Sequence, residues 1–127
     1  MSFVVDTCTF LWFGTNDPQL SPAAKSIIEE PANEIRISIA SFWEIGIKLS
    51  IGKMPQSIDL LALESIAQSL AMEIAPITVR IIHRVTLLPA AHKDPFDRIL
   101  AATALVQGDA ILSPDPAFDA LGVKRIW

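Results

Sequence analysis

The sequence predicts one α/β domain: a layered sandwich with a central, mostly parallel sheet of about five strands and helices on both faces. Three observations carry this. Short apolar, β-branched runs alternate with helical stretches along the chain, and right-handed crossovers between parallel strands place the intervening helices on either side of the sheet. A length of 127 residues with 51% hydrophobic content suffices for one buried core. No internal repeat, low-complexity tract or linker divides the chain, so the expected domain spans residues 1–127.

Taken in order, "FVV" (Phe3 to Val5) is a first strand that stops at Asp6, and "TFLWF" (Thr9 to Phe13) lies on a short helix. Ser21 and Pro22 open a helix running to about Glu30. "EIRISIA" alternates Ile with polar residues and stops at Ser41, which opens the helix "FWEIGIKLSIG", ended by Gly52. Ile58 to Met72 and Thr78 to Leu87 read as amphipathic helices. Between them "EIAPI" (Glu73 to Ile77) is a strand candidate demoted by Pro76. Asp94 opens the long apolar helix "PFDRILAATALVQ", ended by Gly108, with Pro95 at its first position where the missing N–H costs nothing. "DAILS" (Asp109 to Ser113) and "VKRIW" (Val123 to Trp127) complete the strands.

Composition excludes several functions. No apolar run reaches the roughly 18–20 residues of a membrane span, and the first basic residue is Lys25, so no signal-peptide n-region precedes the first strand. A cytoplasmic protein without membrane association is expected. One cysteine, Cys8, forms no internal disulfide, and with only His83 and His92 beside it a soft-metal site is excluded. Any metal would be a hard, oxygen-bound ion. A net charge of −4 argues against coating nucleic acid by bulk electrostatics. A local basic patch remains between Arg80 and Arg98, with a solvated helix face as the plainer reading.

Most of the fourteen acids sit on helices among polar company, but four do not. Asp6 ends the first strand, Glu44 stands in the first turn after the second, Asp97 in the first turn of the apolar helix, and Asp115 follows "AILS". In an open parallel sheet these positions lie outside the carboxyl ends of the strands, where such folds bind ligands. Each also has a structural reading. Ser41 and Glu44 fit a capping box, Glu44 precedes Lys48 by four, Asp115 can cap a turn between two prolines, and a lone Cys such as Cys8 is commonly just buried. Asp94 caps its helix and can pair with Arg98, whereas Asp97 rises from the core-facing side and needs a partner. Carboxylates gathered at one place repel one another unless a cation joins them, and Mg²⁺ or Mn²⁺ bridges carboxylates to phosphate. The expected chemistry is metal-assisted hydrolysis of a phosphodiester or phosphomonoester, with helix N-termini favouring the charges of Glu44 and Asp97.

The ordered segments "VVDT", "SIASFWEIGIKLSIGK", "HKDPFDRILAATAL" and "AILSPDPAF" resemble the PIN-domain ribonucleases, in particular the VapC toxins of toxin–antitoxin pairs with a DPFDR third motif. The likeness runs from about Phe3 to Trp127. It implies a three-layer α/β/α fold and a Mg²⁺- or Mn²⁺-dependent ribonuclease whose metal-binding, catalytic carboxylates are Asp6, Glu44, Asp97 and Asp115, with Ser113 supporting a carboxylate. Relatives carry Thr where this chain has Ser113, and often His where it has Cys8. The partners implied are an RNA substrate, a cognate antitoxin and a second copy of the chain, with Phe10, Trp12, Phe13, Phe42 and Trp43 as candidate contact area. Lys48, Arg80, Arg84, His92 and Lys93 are candidates for RNA backbone contact. Two alternatives stand beside this: a partner-binding module that keeps the fold without turnover, and a Mg²⁺ phosphatase of small esters. The absence of a second acid two residues after Asp6 weighs against the phosphatase.

Overall fold

The computed structural model describes residues 1–127. Strands β1 (Ser2–Val5), β2 (Glu34–Ser38), β3 (Glu73–Ala75), β4 (Ala110–Leu112) and β5 (Arg125–Ile126) form one sheet in the order β3-β2-β1-β4-β5. Every pair is parallel, with Val5 opposite Ile37 on one side and Leu112 on the other. The helices are α1 (Thr7–Thr15), α2 (Pro22–Glu29), α3 (Ile39–Ser50), α4 (Leu60–Ser69), α5 (Val79–Thr86), α6 (Pro95–Gln107) and α7 (Ala117–Ala120).

The two-residue period of the strands divides the core. Phe3, Val5, Ile35, Ile37 and Leu112 face one side, where Phe10, Ile28, Ile45 and Leu63 of α1 to α4 cover them. Val4 and Ile111 face the other and meet Ile81 of α5, Leu100 to Ala102 and Ala104 of α6, and Phe118 of α7. The three expected layers are present. The five residues Leu100 to Ala104 are all buried, which accounts for the lack of a narrow apolar stripe on α6. No helix is long and apolar enough to cross a membrane.

Several boundaries differ from the sequence expectation. β2 ends at Ser38, and it is Ser38, not Ser41, that caps α3, accepting from the Ala40 N–H at 3.0 Å. Ser41 is buried in the first turn and Glu44 falls in the second, so the capping box does not form and Glu44 gains little from the helix dipole. The α4 helix is shorter than its apolar pattern because Asp59 caps it and Ala71 adopts φ 55° just beyond its end. Pro76 stops β3 as expected, whereas the single-turn α7 has no signal in the periodicity.

Arg98 does not pair with Asp94. One Asp94 oxygen accepts from the Phe96 and Asp97 N–H groups at 2.9 and 3.2 Å. Arg98 turns instead to four carbonyls, those of Pro89 (2.6 Å), His92 (2.9 Å), Val85 (3.1 Å) and Leu88 (3.3 Å). Val85 lies in the last turn of α5 and the other three follow it, and the guanidinium fork gathers all four where a single carboxylate would use only part of its donors.

At the amino ends of the strands, Asp109 has a fully buried carboxylate beneath Arg36 of β2, with N–O 2.6 Å. Arg36 also reaches Glu73 at 2.7 Å and Glu34 at 3.4 Å, and Ser2 donates to Asp109 from β1. This cluster joins four strands at the edge opposite the four acids.

Candidate active site

Asp6 is where β1 becomes α1. It is the N-cap of α1, its Oδ1 accepts from the Thr9 N–H at 2.8 Å, and its own N–H reaches the Leu112 carbonyl at 3.2 Å. Ser113, at the end of β4, donates its hydroxyl to Asp6 Oδ2, so the support expected of Ser113 is a direct contact. The same Ser113 oxygen accepts the Asp115 N–H at 3.0 Å. One hydroxyl thereby ties the acid after β1 to the acid after β4. Burial pushes the Asp6 carboxyl above its ordinary range, against the hydrogen bonds from Ser113, Thr9 and Cys8 that favour the anion.

Glu44 is steered by α1 as well as by its own helix. Thr7 donates to Glu44 Oε1 at 2.7 Å and is hydrogen-bonded to Ser41 at 2.9 Å, while Lys48 lies 3.0 Å from Oε2 in the expected i,i+4 pair. The partner that Asp97 requires is His92, whose Nε2 lies 2.8 Å from Oδ2. Burial raises the Asp97 carboxyl, the His92 hydrogen bond opposes this, and the charges of Asp94 and Glu44 add to the rise. Asp115 does cap its turn, accepting from the Ala117 N–H at 2.9 Å.

These groups line one cavity of about 180 Å³, bounded by Asp6, Thr7, Cys8, Leu11, Glu44, Lys48, Asp94, Asp97 and Asp115. Five carboxyl groups face a single ammonium there. All four acids singled out in the sequence are brought together. So is Asp94, read from sequence as a cap and a partner for Arg98, and so are Thr7 and Cys8, whose positions on the first turn after Asp6 were the available signal. The larger cleft, about 580 Å³, lies between the ends of α2 and α4 at the opposite sheet edge and contains Glu29, Glu30, Glu34 and Glu73 but no basic group, and its one hydroxyl, Ser69, is spent on the Ile66 carbonyl.

Of the RNA-contact candidates, Lys48 alone lines the cavity. His92 is engaged by Asp97, while Arg80 and Lys93 are exposed and Arg84 half-buried outside it. The aromatic residues separate likewise. Phe10 is core, packed edge-on to Phe42 at 5.7 Å between centroids, and does not belong to a contact surface. Trp12 packs on Trp127 at 5.8 Å, and Trp43, 60% exposed, packs on Phe96 at 5.5 Å.

As the side chains stand, no three His, Cys, Asp or Glu residues converge on one ion position. Glu44 is drawn toward Thr7 and Lys48, Asp97 toward His92 and Asp6 toward Ser113. The donor set is nonetheless all oxygen and strongly anionic, the kind that hard divalent cations take.

The family model for the PIN domain matches residues 3–124. The chain is a PIN domain. Solved structures agree with this over nearly its whole length. The domain superimposes on VapBC2 from Rickettsia felis, bound to a DNA fragment from its promoter, with TM-score 0.75 and 14% identity over 99% of this chain and 98% of that one. VapBC-1 from nontypeable Haemophilus influenzae gives TM-score 0.70 and 15% identity over 99% and 97%. VapC20 from Mycobacterium tuberculosis, a toxin that cleaves the sarcin-ricin loop, gives 0.69 and 17% over 95% of each chain. Among curated proteins no sequence matches.

Cys8 of this PIN domain is half-exposed at the cavity wall rather than buried, with Sγ 3.4 and 3.5 Å from the two Asp6 oxygens. Burial, the Asp6 charge and the hydrogen bond to it push the thiol up to about 12. Since the thiolate is the nucleophile, Cys8 should resist alkylation by iodoacetamide at pH 8 in the native protein and react fully once unfolded. Native labelling at the rate of a free cysteine would contradict the geometry at Asp6.

Proposed function

We propose that this PIN domain is a Mg²⁺- or Mn²⁺-dependent endoribonuclease, the toxin of a type II toxin–antitoxin pair. The observation that carries the reading is the cavity in which Asp6, Glu44, Asp94, Asp97 and Asp115 meet with Lys48 as their sole cation. A site so anionic repels a phosphodiester unless a metal is present. Asp6, Glu44 and Asp97 are the residues that would hold it, with Asp115 contributing through a second ion or a water. When bound, the ion supplies a water of lowered pKa and neutralises charge growing on phosphorus.

The chain's own groups prepare that site. Ser113 and the Thr9 N–H fix both Asp6 oxygens, and Thr7 fixes Glu44 across the gap between α1 and α3. His92 holds Asp97 in place through the 2.8 Å contact to its Oδ2. Lys48 neutralises part of Glu44 and, as the one cation of the cavity wall, would also be the group to meet a non-bridging phosphate oxygen. The VapBC neighbours support an antitoxin as partner, and the exposed apolar side chains Ile39 and Leu61 beside a groove of about 150 Å³ offer it area. A homodimer and a cytoplasmic location complete the proposal.

EDTA should abolish cleavage of a defined RNA panel, and millimolar Mg²⁺ or Mn²⁺ should restore it. The same additions should raise the melting temperature, because only the native fold assembles the carboxylates. Cleavage that survives thorough chelation would sink the reading. Turnover of a small phosphate ester with RNA left intact would favour a phosphatase instead.

A further inference from the structure

Trp43 and Phe96 occupy a telling place. Each immediately precedes a carboxylate of the cavity, Trp43 before Glu44 on α3 and Phe96 before Asp97 on α6. Their rings meet edge to face, 5.5 Å apart at 78°, and so bridge the two helices that supply those carboxylates. Trp43 is still 60% exposed. A ring packed at its edge keeps a face for another flat group, and Phe96 restricts its rotation, so less freedom is lost when something stacks on it. Phe96 is itself fixed by the Asp94 bond to its N–H.

In a nucleotide the base lies one sugar away from its phosphate, and adjacent residues have Cα atoms about 3.8 Å apart. Neither ring lines the cavity, but the pair stands on the helix positions next to its carboxylates, so a base one nucleotide's reach from a phosphate held there can meet it. We infer that Trp43, braced by Phe96, is a stacking platform for an unpaired nucleobase of RNA whose backbone enters the carboxylate cavity. The inference rests on the ribonuclease reading and names the substrate form as single-stranded or base-flipped. Trp43 is then a substrate-positioning residue. Ile39 lies on the same side of α3, one turn earlier, and is also exposed, so a protein contact is the competing use of this surface.

The test measures binding with every carboxylate intact and Ca²⁺ in place of Mg²⁺, so that RNA is held but not cut. The probes are a short oligoadenylate and the same sugar-phosphate chain without bases. Trp43→Ala should weaken the base-bearing oligomer roughly ten-fold, in the range of base–aromatic stacking, and leave the abasic chain unchanged. Trp43→Phe should recover most of the difference. Equal weakening of both probes, or of neither, overturns the inference. So does a change of oligomeric state by light scattering in Trp43→Ala that accounts for the loss, which would assign the residue to a protein contact. The same protein is assayed for RNA cleavage with Mg²⁺ in parallel. If it cuts no RNA while Trp43-dependent binding persists, the nuclease reading fails and the platform stands. If it cuts RNA but shows no preference for the base-bearing probe, only the platform fails.

Discussion

Asp97→Asn should leave a protein that folds as well as the parent, or better, yet has lost RNA cleavage. The carboxyl is raised by burial, with Asp94 and Glu44 adding to the rise, so its ionised form burdens the metal-free fold, and a neutral isostere removes that burden. Turnover should fall by more than the roughly 10–100-fold that loss of an outer-shell partner costs a metal site. Asp94→Asn serves as the control. Asparagine caps as well as aspartate, so only a charge term of ~0.3–1 kcal/mol is lost and most activity should remain.

The pH dependence has a definite sign. Asp6 and Asp97 both have folded values above the ordinary carboxyl value, so the native state binds protons more tightly than the unfolded chain. Without metal, stability should therefore rise as pH falls from neutral through the raised range toward the unfolded carboxylate value of about 4. Asp97→Asn should flatten part of that slope. Urea melts in EDTA across this range, beside cleavage assays with Mg²⁺, separate the assignments: a destabilised Asp97→Asn that still cuts RNA would make Asp97 structural, and a silent Asp94→Asn would exchange the two roles.

Arg36→Met should produce the largest loss of stability. It strips the only cation from a carboxylate with no exposed surface, and breaking a buried pair from one side costs about 3–5 kcal/mol. Replacing both partners, Arg36→Met with Asp109→Leu, should recover much of the loss because no uncompensated charge remains. Cleavage per folded molecule should be unchanged in each, since the cluster sits at the sheet edge away from the cavity. Equal urea midpoints for Arg36→Met and the parent would show that Asp109 is satisfied without its arginine.

The layers, the five strands and the meeting of Asp6, Glu44, Asp97 and Asp115 were legible because each depends on local signals. A β-branched run that stops at an acid, an Asp-Pro helix start and a terminal glycine are all readable within a few residues. The failures are where two local rules compete or the partner is distant. Ser38 and Ser41 can each cap a helix, and the choice falls to sheet pairing, because Ser38 must still sit opposite Ala75 in β3. Arg98 offered an i+4 partner, but carbonyls at the end of another helix claimed it. Asp109 looked like an ordinary residue before a strand, since nothing nearby announces a partner 73 positions away. Asp97 shows the limit in one residue: the sequence declared the need for a partner, and only the fold supplied His92.

The Ser113 hydroxyl that joins Asp6 to the Asp115 backbone spans 107 positions of sequence, and β1, the first strand made, is the middle strand of the sheet. During translation the first strand can pair with β2 early, but its other edge stays open until β4 has been made. Asp6 then acquires the Leu112 and Ser113 contacts that fix it. A nascent chain arrested before residue 110 would already contain Asp6, Glu44 and Asp97 but could not set the first of them in place. The order of synthesis thus acts as a timer: the cavity cannot close until β4 and Ser113 have followed β1 out of the ribosome.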